Sequence, residues 1–123
     1  MFVNGLDHYN VSTDDLPATR HFYCDILGLN EGYRPPLVNP GAWFYANGHP
    51  IVHINADMKI GSRQTGAFDH VAFQATGDPA ALAKKLDSEG IKYERRVVPK
   101  SGIRQLFCLD PNGVKVEFNF PPA

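Results

Sequence analysis

The run Leu6-Asp7-His8 returns as Phe68-Asp69-His70, 62 residues later in a chain of 123. A repeat at half the chain length restricts the fold to two copies of one unit, neither of which would bury its apolar face well alone. The offset persists beyond the motif. It aligns Pro17 with Pro79, Ala18 with Ala80, Asp25 with Asp87 and Gly28 with Gly90. These matches fall at a strand centre, a helix start and a helix stop, where structure constrains residue type most.

Residues 5–11 read as a strand with Leu6, His8 and Asn10 on one face, and a helix follows, capped by Asp14 with Pro17 in its first turn. Gly28-Leu29 stops it in the manner of a Schellman motif. A short strand over 29–34 leads into a loop broken by Pro35-Pro36 and Pro40. Residues 42–46 and 51–55 then read as a hairpin around Asn47-Gly48. The first half is thus βαβββ, and the Gly-bearing polar stretch 57–66 reads as a linker. The second half repeats the plan: a strand over 67–75, a helix capped by Asp78 and stopped at Gly90-Ile91, and strands over 91–97, 103–109 and 114–120. We therefore expect one domain over 1–123, with module one at 1–56 and module two at 67–123.

With 12 Lys and Arg against 13 Asp and Glu, the chain has a net charge of −1 and no basic stripe. Nucleic acid and anionic membrane are poor partners for such a surface. No apolar run is long enough to span a bilayer, and the first residues lack a signal peptide, so a cytoplasmic location is expected. Cys24 and Cys108 stand alone and read as buried thiols.

Chemistry-bearing residues concentrate on one face. In the last strand Val114, Val116, Phe118 and Phe120 alternate with Lys115, Glu117 and Asn119, so Glu117 points away from the apolar layer. Read as a three-residue loop, the Asp110-Pro111-Asn112-Gly113 turn sets Phe107 opposite Glu117, with Gln105 on the same face. Phe107 and Gln105 are candidate substrate contacts. His53 parallels Glu117 in the first module; Asn47-Gly48 as a two-residue or a bulged loop decides whether Phe44 or the pair Trp43 and Tyr45 joins it, and Trp43 is preferred. His8, His70 and Glu117 are two imidazoles and one carboxylate, a donor set that leaves coordination positions open. The same two His residues also read as a pair of core histidines, and five His in the chain allow chance pairing.

The two Asp-His repeats, the two Gly-stopped helices and the ending Asp110-Pro111-Asn112-Gly113-Val114-Lys115-Val116-Glu117-Phe118 resemble the vicinal oxygen chelate superfamily. That superfamily includes glyoxalase I, extradiol dioxygenases, fosfomycin-resistance thiol transferases, methylmalonyl-CoA epimerase and bleomycin-binding proteins. The resemblance implies an α+β fold of two βαβββ modules, a cupped eight-stranded mixed sheet with helices on its outer face, and usually a homodimer. It places His8, His70 and Glu117 on the shared metal positions, where a divalent ion binds two neighbouring oxygens of a small-molecule substrate.

His53 falls on the strand that supplies a further ligand in glyoxalase I and an acid–base His in extradiol enzymes. It is therefore assigned as the catalytic residue, acting as base or supporting the ligands, with a fourth ligand as the alternative. That position favours ring cleavage with Fe(II) or Mn(II), although Phe107 stands where extradiol enzymes usually carry Tyr. A glyoxalase-type lyase or isomerase with Ni(II) or Zn(II), a thiol transferase, and a non-catalytic sequestering protein are the alternatives. Asp7 and Asp69 are expected to be structural, because neighbours on a strand point to opposite faces. Arg95, Arg96, Lys100 and Arg104 read as a solvated rim, with recognition of an anionic group as the lesser reading.

Overall fold

The computed structural model describes residues 2, 4–57, 59 and 65–123. The chain forms two compact units, Met1–Gly61 and Ser62–Ala123. Most of the expected linker, residues 58 and 60–64, lies outside the described residues.

In the first unit β1 (Tyr9–Ser12) leads to α1 (Leu16–Arg20), which runs directly into a π-helical segment, His21–Ile26. Three strands follow: β2 (Asn30–Gly32), β3 (Gly41–Ala46) and β4 (His49–Asn55). They form one four-stranded sheet in the order β1-β4-β3-β2, with β1 parallel to β4 and the other pairs antiparallel. The second unit repeats this plan with β5 (His70–Gln74), α2 (Pro79–Ser88), β6 (Tyr93–Val97), β7 (Arg104–Leu109) and β8 (Lys115–Phe120). Its sheet order is β5-β8-β7-β6, with the parallel pair again at the first strand. The fold is α+β, built of two βαβββ modules, and among the described residues its eight strands divide equally between two mixed sheets.

Two sequence expectations shift by a few residues. The first strand starts at Tyr9 rather than residue 5, because its parallel ladder to β4 begins with Tyr9 opposite Val52. Helix α1 is capped by Asp15, not Asp14. Thr13 Oγ1 accepts the Asp15 N–H at 2.9 Å, and the Asp15 carboxylate accepts the Ala18 N–H at 3.0 Å, so the turn preceding the helix fixes the cap one residue later. The stops fall where expected. Gly28 and Gly90 take φ of +87° and +68°, a region that only glycine enters freely.

One face of each sheet makes the core. Val11, Ala42, Phe44, Val52 and Ile54 are buried with Phe22, Tyr23 and Ile26 of the helical segment. In the second unit Leu106, Val116, Phe118 and Phe120 are buried with Ala83 and Leu86 of α2. Strand alternation then leaves the opposite faces to polar and aromatic side chains. Among the described residues no helix is long and apolar enough to cross a membrane.

Candidate metal centre

The turn before β8 determines what meets on the open face of the second unit. The Asp110 carboxylate accepts the Asn112 and Val114 N–H groups at 2.8 and 2.9 Å, closing the loop. The resulting register sets Phe107 opposite Glu117 and Gln105 opposite Asn119. On the other side of β8, Lys115 pairs with His70. His70 Nε2 lies 3.3 Å from Glu117 Oε1. The other carboxylate oxygen accepts from Asn119 Nδ2 at 2.8 Å and from Gln105 Nε2 at 3.3 Å. Gln105 also donates to Asn119 Oδ1 at 3.0 Å, so the two amides hold the carboxylate plane between them.

The Asp residues of the repeat overturn the expectation from strand alternation. Asp69 Oδ2 lies 2.8 Å from His70 Nδ1, and Asp7 Oδ2 lies 2.7 Å from His8 Nδ1. Alternation fails because Asp7 and His8 precede β1 and Asp69 precedes β5. Before a ladder begins, the backbone can turn two neighbouring side chains toward one another. The His hydrogen bond holds each carboxyl below the usual range, helped at Asp69 by Lys115, whose Nζ is 3.3 Å away. A carboxylate can only accept, so in the neutral ring Nδ1 carries the proton and Nε2 keeps its lone pair. A carboxylate behind the far nitrogen is the usual arrangement for a metal-binding imidazole.

On the open face of the first unit, the Asn47-Gly48 turn is a two-residue loop with both residues at positive φ, 50° and 80°. A bulge at Phe44/Tyr45 then shifts the register and puts Trp43 opposite His53. The two rings stack with centroids 3.9 Å apart, and His8 stacks on the other side of His53 at 3.7 Å. His53 is buried, and its Nε2 donates to the Pro50 carbonyl at 3.1 Å. Burial first, and the neighbouring His8 next, push its pKa down. His49, given no role by the sequence, donates from Nε2 to the Asp7 carbonyl at 2.8 Å and ties the segment before β1 to the hairpin.

The structure thus brings His70 together with Glu117 and Gln105, and His8 with His53 and Trp43. Among the described residues no three His, Cys, Asp or Glu side chains form one cluster of metal-binding spacing. Phe107 and Arg96 help line a groove of about 510 Å³ with Tyr93, Leu109 and Lys115. The Arg96 guanidinium sits 5.3 Å from the Phe107 ring centre. Asn119 and the two Asp residues were absent from the candidates. Asn119 was legible as the residue two beyond Glu117 on the same face, whereas the Asp contacts depend on where the ladders start.

The donors fit a divalent cation. His70 Nε2 and Glu117 Oε1 are both electron-pair donors aimed at one place, and such a pair repels unless a proton or a cation lies between them.

A fold built of two βαβββ modules is that of the vicinal oxygen chelate class. The family model for the Glyoxalase/Bleomycin resistance protein/Dioxygenase superfamily matches residues 5–118, and the chain belongs to that superfamily. It is 30% identical to Glyoxylase I 4 of Arabidopsis thaliana over 95% of this chain and 71% of that protein. Solved structures share its fold at lower identity. A glyoxalase family protein from Enterococcus faecalis aligns with a TM-score of 0.73 at 23% identity, over 97% of this chain and 99% of its own. The E126Q mutant of the fosfomycin resistance protein FosX from Listeria monocytogenes, complexed with Mn(II) and 1S,2S-dihydroxypropylphosphonic acid, gives 0.76 at 18% identity over 98% and 94%.

Proposed function

We propose that this protein is a metal-dependent enzyme that takes a small substrate through two neighbouring oxygens and changes it without consuming oxygen, as an isomerase, lyase or adding enzyme. The observation that carries this reading is the 3.3 Å approach of His70 Nε2 to Glu117 Oε1, a spacing at which one cation can take both donors. His70 and Glu117 are the proposed ligands on the second unit, and His8 of the first unit falls on the superfamily's other shared metal position. Asp7 and Asp69 hold the two imidazoles in the tautomer that offers Nε2, and Asn119 and Gln105 fix the carboxylate. When bound, a divalent ion supplies Lewis acidity to the substrate oxygens. Mn(II) is the first choice, on the strength of its presence in the FosX complex.

Phe107 and Arg96 offer the substrate a flat apolar wall with a cation above it. The preference for non-oxidative chemistry rests on His53. Ring cleavage was favoured by a His at that position acting as acid–base residue. Its Nε2 proton is instead committed to the Pro50 carbonyl, and its two ring faces are covered by Trp43 and His8. Extradiol cleavage with Fe(II) is the second reading, favoured by the two-His, one-carboxylate donor set.

Protein loaded separately with Mn(II), Fe(II), Ni(II) and Zn(II) is to be assayed against hemithioacetals, small epoxides with water or thiols, and a catechol series in an oxygen electrode. Turnover without oxygen uptake is expected. Oxygen uptake coupled to catechol cleavage by the Fe(II) form would establish the second reading instead. Tight binding of aromatic ligands by metal-free protein, with no turnover, would make it a sequestering protein.

A further inference from the structure

We infer that Trp43 and His53 are positioning residues, a flat two-ring platform that fixes the plane of the His8 imidazole, rather than a substrate contact and an acid–base group. The inference rests on the metal-site reading above for its purpose, and on the ring geometry for its substance.

The three rings form one stack. His53 is in the middle, with Trp43 at 3.9 Å and 12° between planes on one side and His8 at 3.7 Å and 11° on the other. The sheet accounts for the alignment. Trp43, His53 and Asn10 are register partners across β3, β4 and β1, so Trp43 and His53 project from the same face. His8 lies two residues before Asn10, just ahead of the ladder, and its ring reaches that of His53. The bulge at Phe44/Tyr45 is what brings Trp43 rather than Phe44 into the row.

Each ring is fixed by a different contact. His53 is pinned within the sheet by the Pro50 carbonyl. Asp7 holds His8 at its ring edge through Nδ1, and His49 anchors the Asp7 backbone. An edge contact from a 74% exposed carboxylate leaves the imidazole free to rock about the Nδ1 bond. The face contact with His53 removes that freedom. Edge and face together define the direction of the Nε2 lone pair, and a ligand held this way loses less entropy when it binds an ion. The second unit solves the same problem differently, since His70 has Asp69 at its edge and Glu117 at Nε2.

The test uses the full chain and Mn(II) alone, with free ion read from its electron paramagnetic resonance signal, so no activity is needed. His53→Ala removes the middle ring, and His53→Phe restores a flat ring without nitrogen atoms. Loss of the ring is expected to weaken Mn(II) binding by about tenfold. His53→Phe should recover most of that loss, even though the Pro50 carbonyl loses its donor in both. Equal weakening in both variants, with both shown folded by circular dichroism, would mean that the nitrogens matter and overturns the inference. Unchanged binding by His53→Ala overturns it as well.

A second readout is independent of metal. Stacking shifts the His8 ring protons upfield in the proton spectrum, and that shift should persist in His53→Phe and vanish in His53→Ala. If wild-type protein fails to bind Mn(II) yet shows the shift, the metal reading falls while the platform stands. If the shift is missing from wild type, the platform itself is wrong.

Discussion

Glu117 Oε1 and His70 Nε2 face each other at 3.3 Å, while the opposite ends of both groups are fully engaged. The carboxylate is only 12% exposed, and its free oxygen is directed at the imidazole nitrogen. A divalent ion between them would be held by both groups. Glu117→Gln keeps the shape and can still accept from Asn119, but removes the charge. It should lower divalent-ion affinity by at least about tenfold while leaving the urea midpoint near that of wild type. Equal affinity in a calorimetric titration would argue that Glu117 is not a ligand.

Asp69→Asn tests the carboxylate behind the imidazole. An amide can still approach Nδ1, but it no longer holds the proton there by charge, and the Lys115 contact weakens as well. Metal affinity is expected to fall by about 10- to 100-fold. Asp7→Asn should produce a similar drop through His8. The prediction fails for either position if its dissociation constant stays within twofold of wild type.

Phe44 and Leu86 are fully buried, one in each unit. Phe44→Ala should cost about 3–5 kcal/mol and Leu86→Ala about 2–5 kcal/mol in urea unfolding. Val38, fully exposed, should tolerate alanine within about 0.5 kcal/mol. A near-neutral Leu86→Ala would show that α2 is not packed on its sheet as described.

The two thiols give a pH signature. Burial pushes Cys108 up to about 12 and Cys24 to about 11, against an ordinary value of 9.0. Below pH 9 both states keep these protons, so the thiols leave stability unchanged. Above it the unfolded chain releases protons that the folded chain retains, and stability should fall as pH rises from about 9 toward 12. Native protein at pH 8 should react slowly with a thiol reagent, and unfolding should expose both sulfurs. Rapid labelling of Cys108 in folded protein would contradict its placement.

Much of this was legible in residues, because local chemistry sets it. The Asp110-Pro111-Asn112-Gly113 turn has one economical closure, and that closure fixes Phe107 against Glu117. The Asp-His repeat gave the module plan. What stayed hidden depends on relations between strands. Trp43 is the expected neighbour of His53, but it arrives through a two-residue turn plus a bulge that neither Asn47-Gly48 nor the flanking residues reveal. The Asp–His contacts depended on strands starting at Tyr9 and His70, which the partner strands decide. The burial of His53 beneath His8 arises from the same pairing, and it changes the chemistry assigned to that residue.

The central claim is that the protein holds a divalent ion through His70 and Glu117. The most direct measurement is elemental analysis of protein purified without added metal or chelator, repeated after dialysis against Mn(II), for wild type and His70→Ala. We predict a stoichiometric divalent ion in wild type and its loss from folded His70→Ala protein. Folded wild-type protein that carries no metal and takes up no Mn(II) would contradict the account.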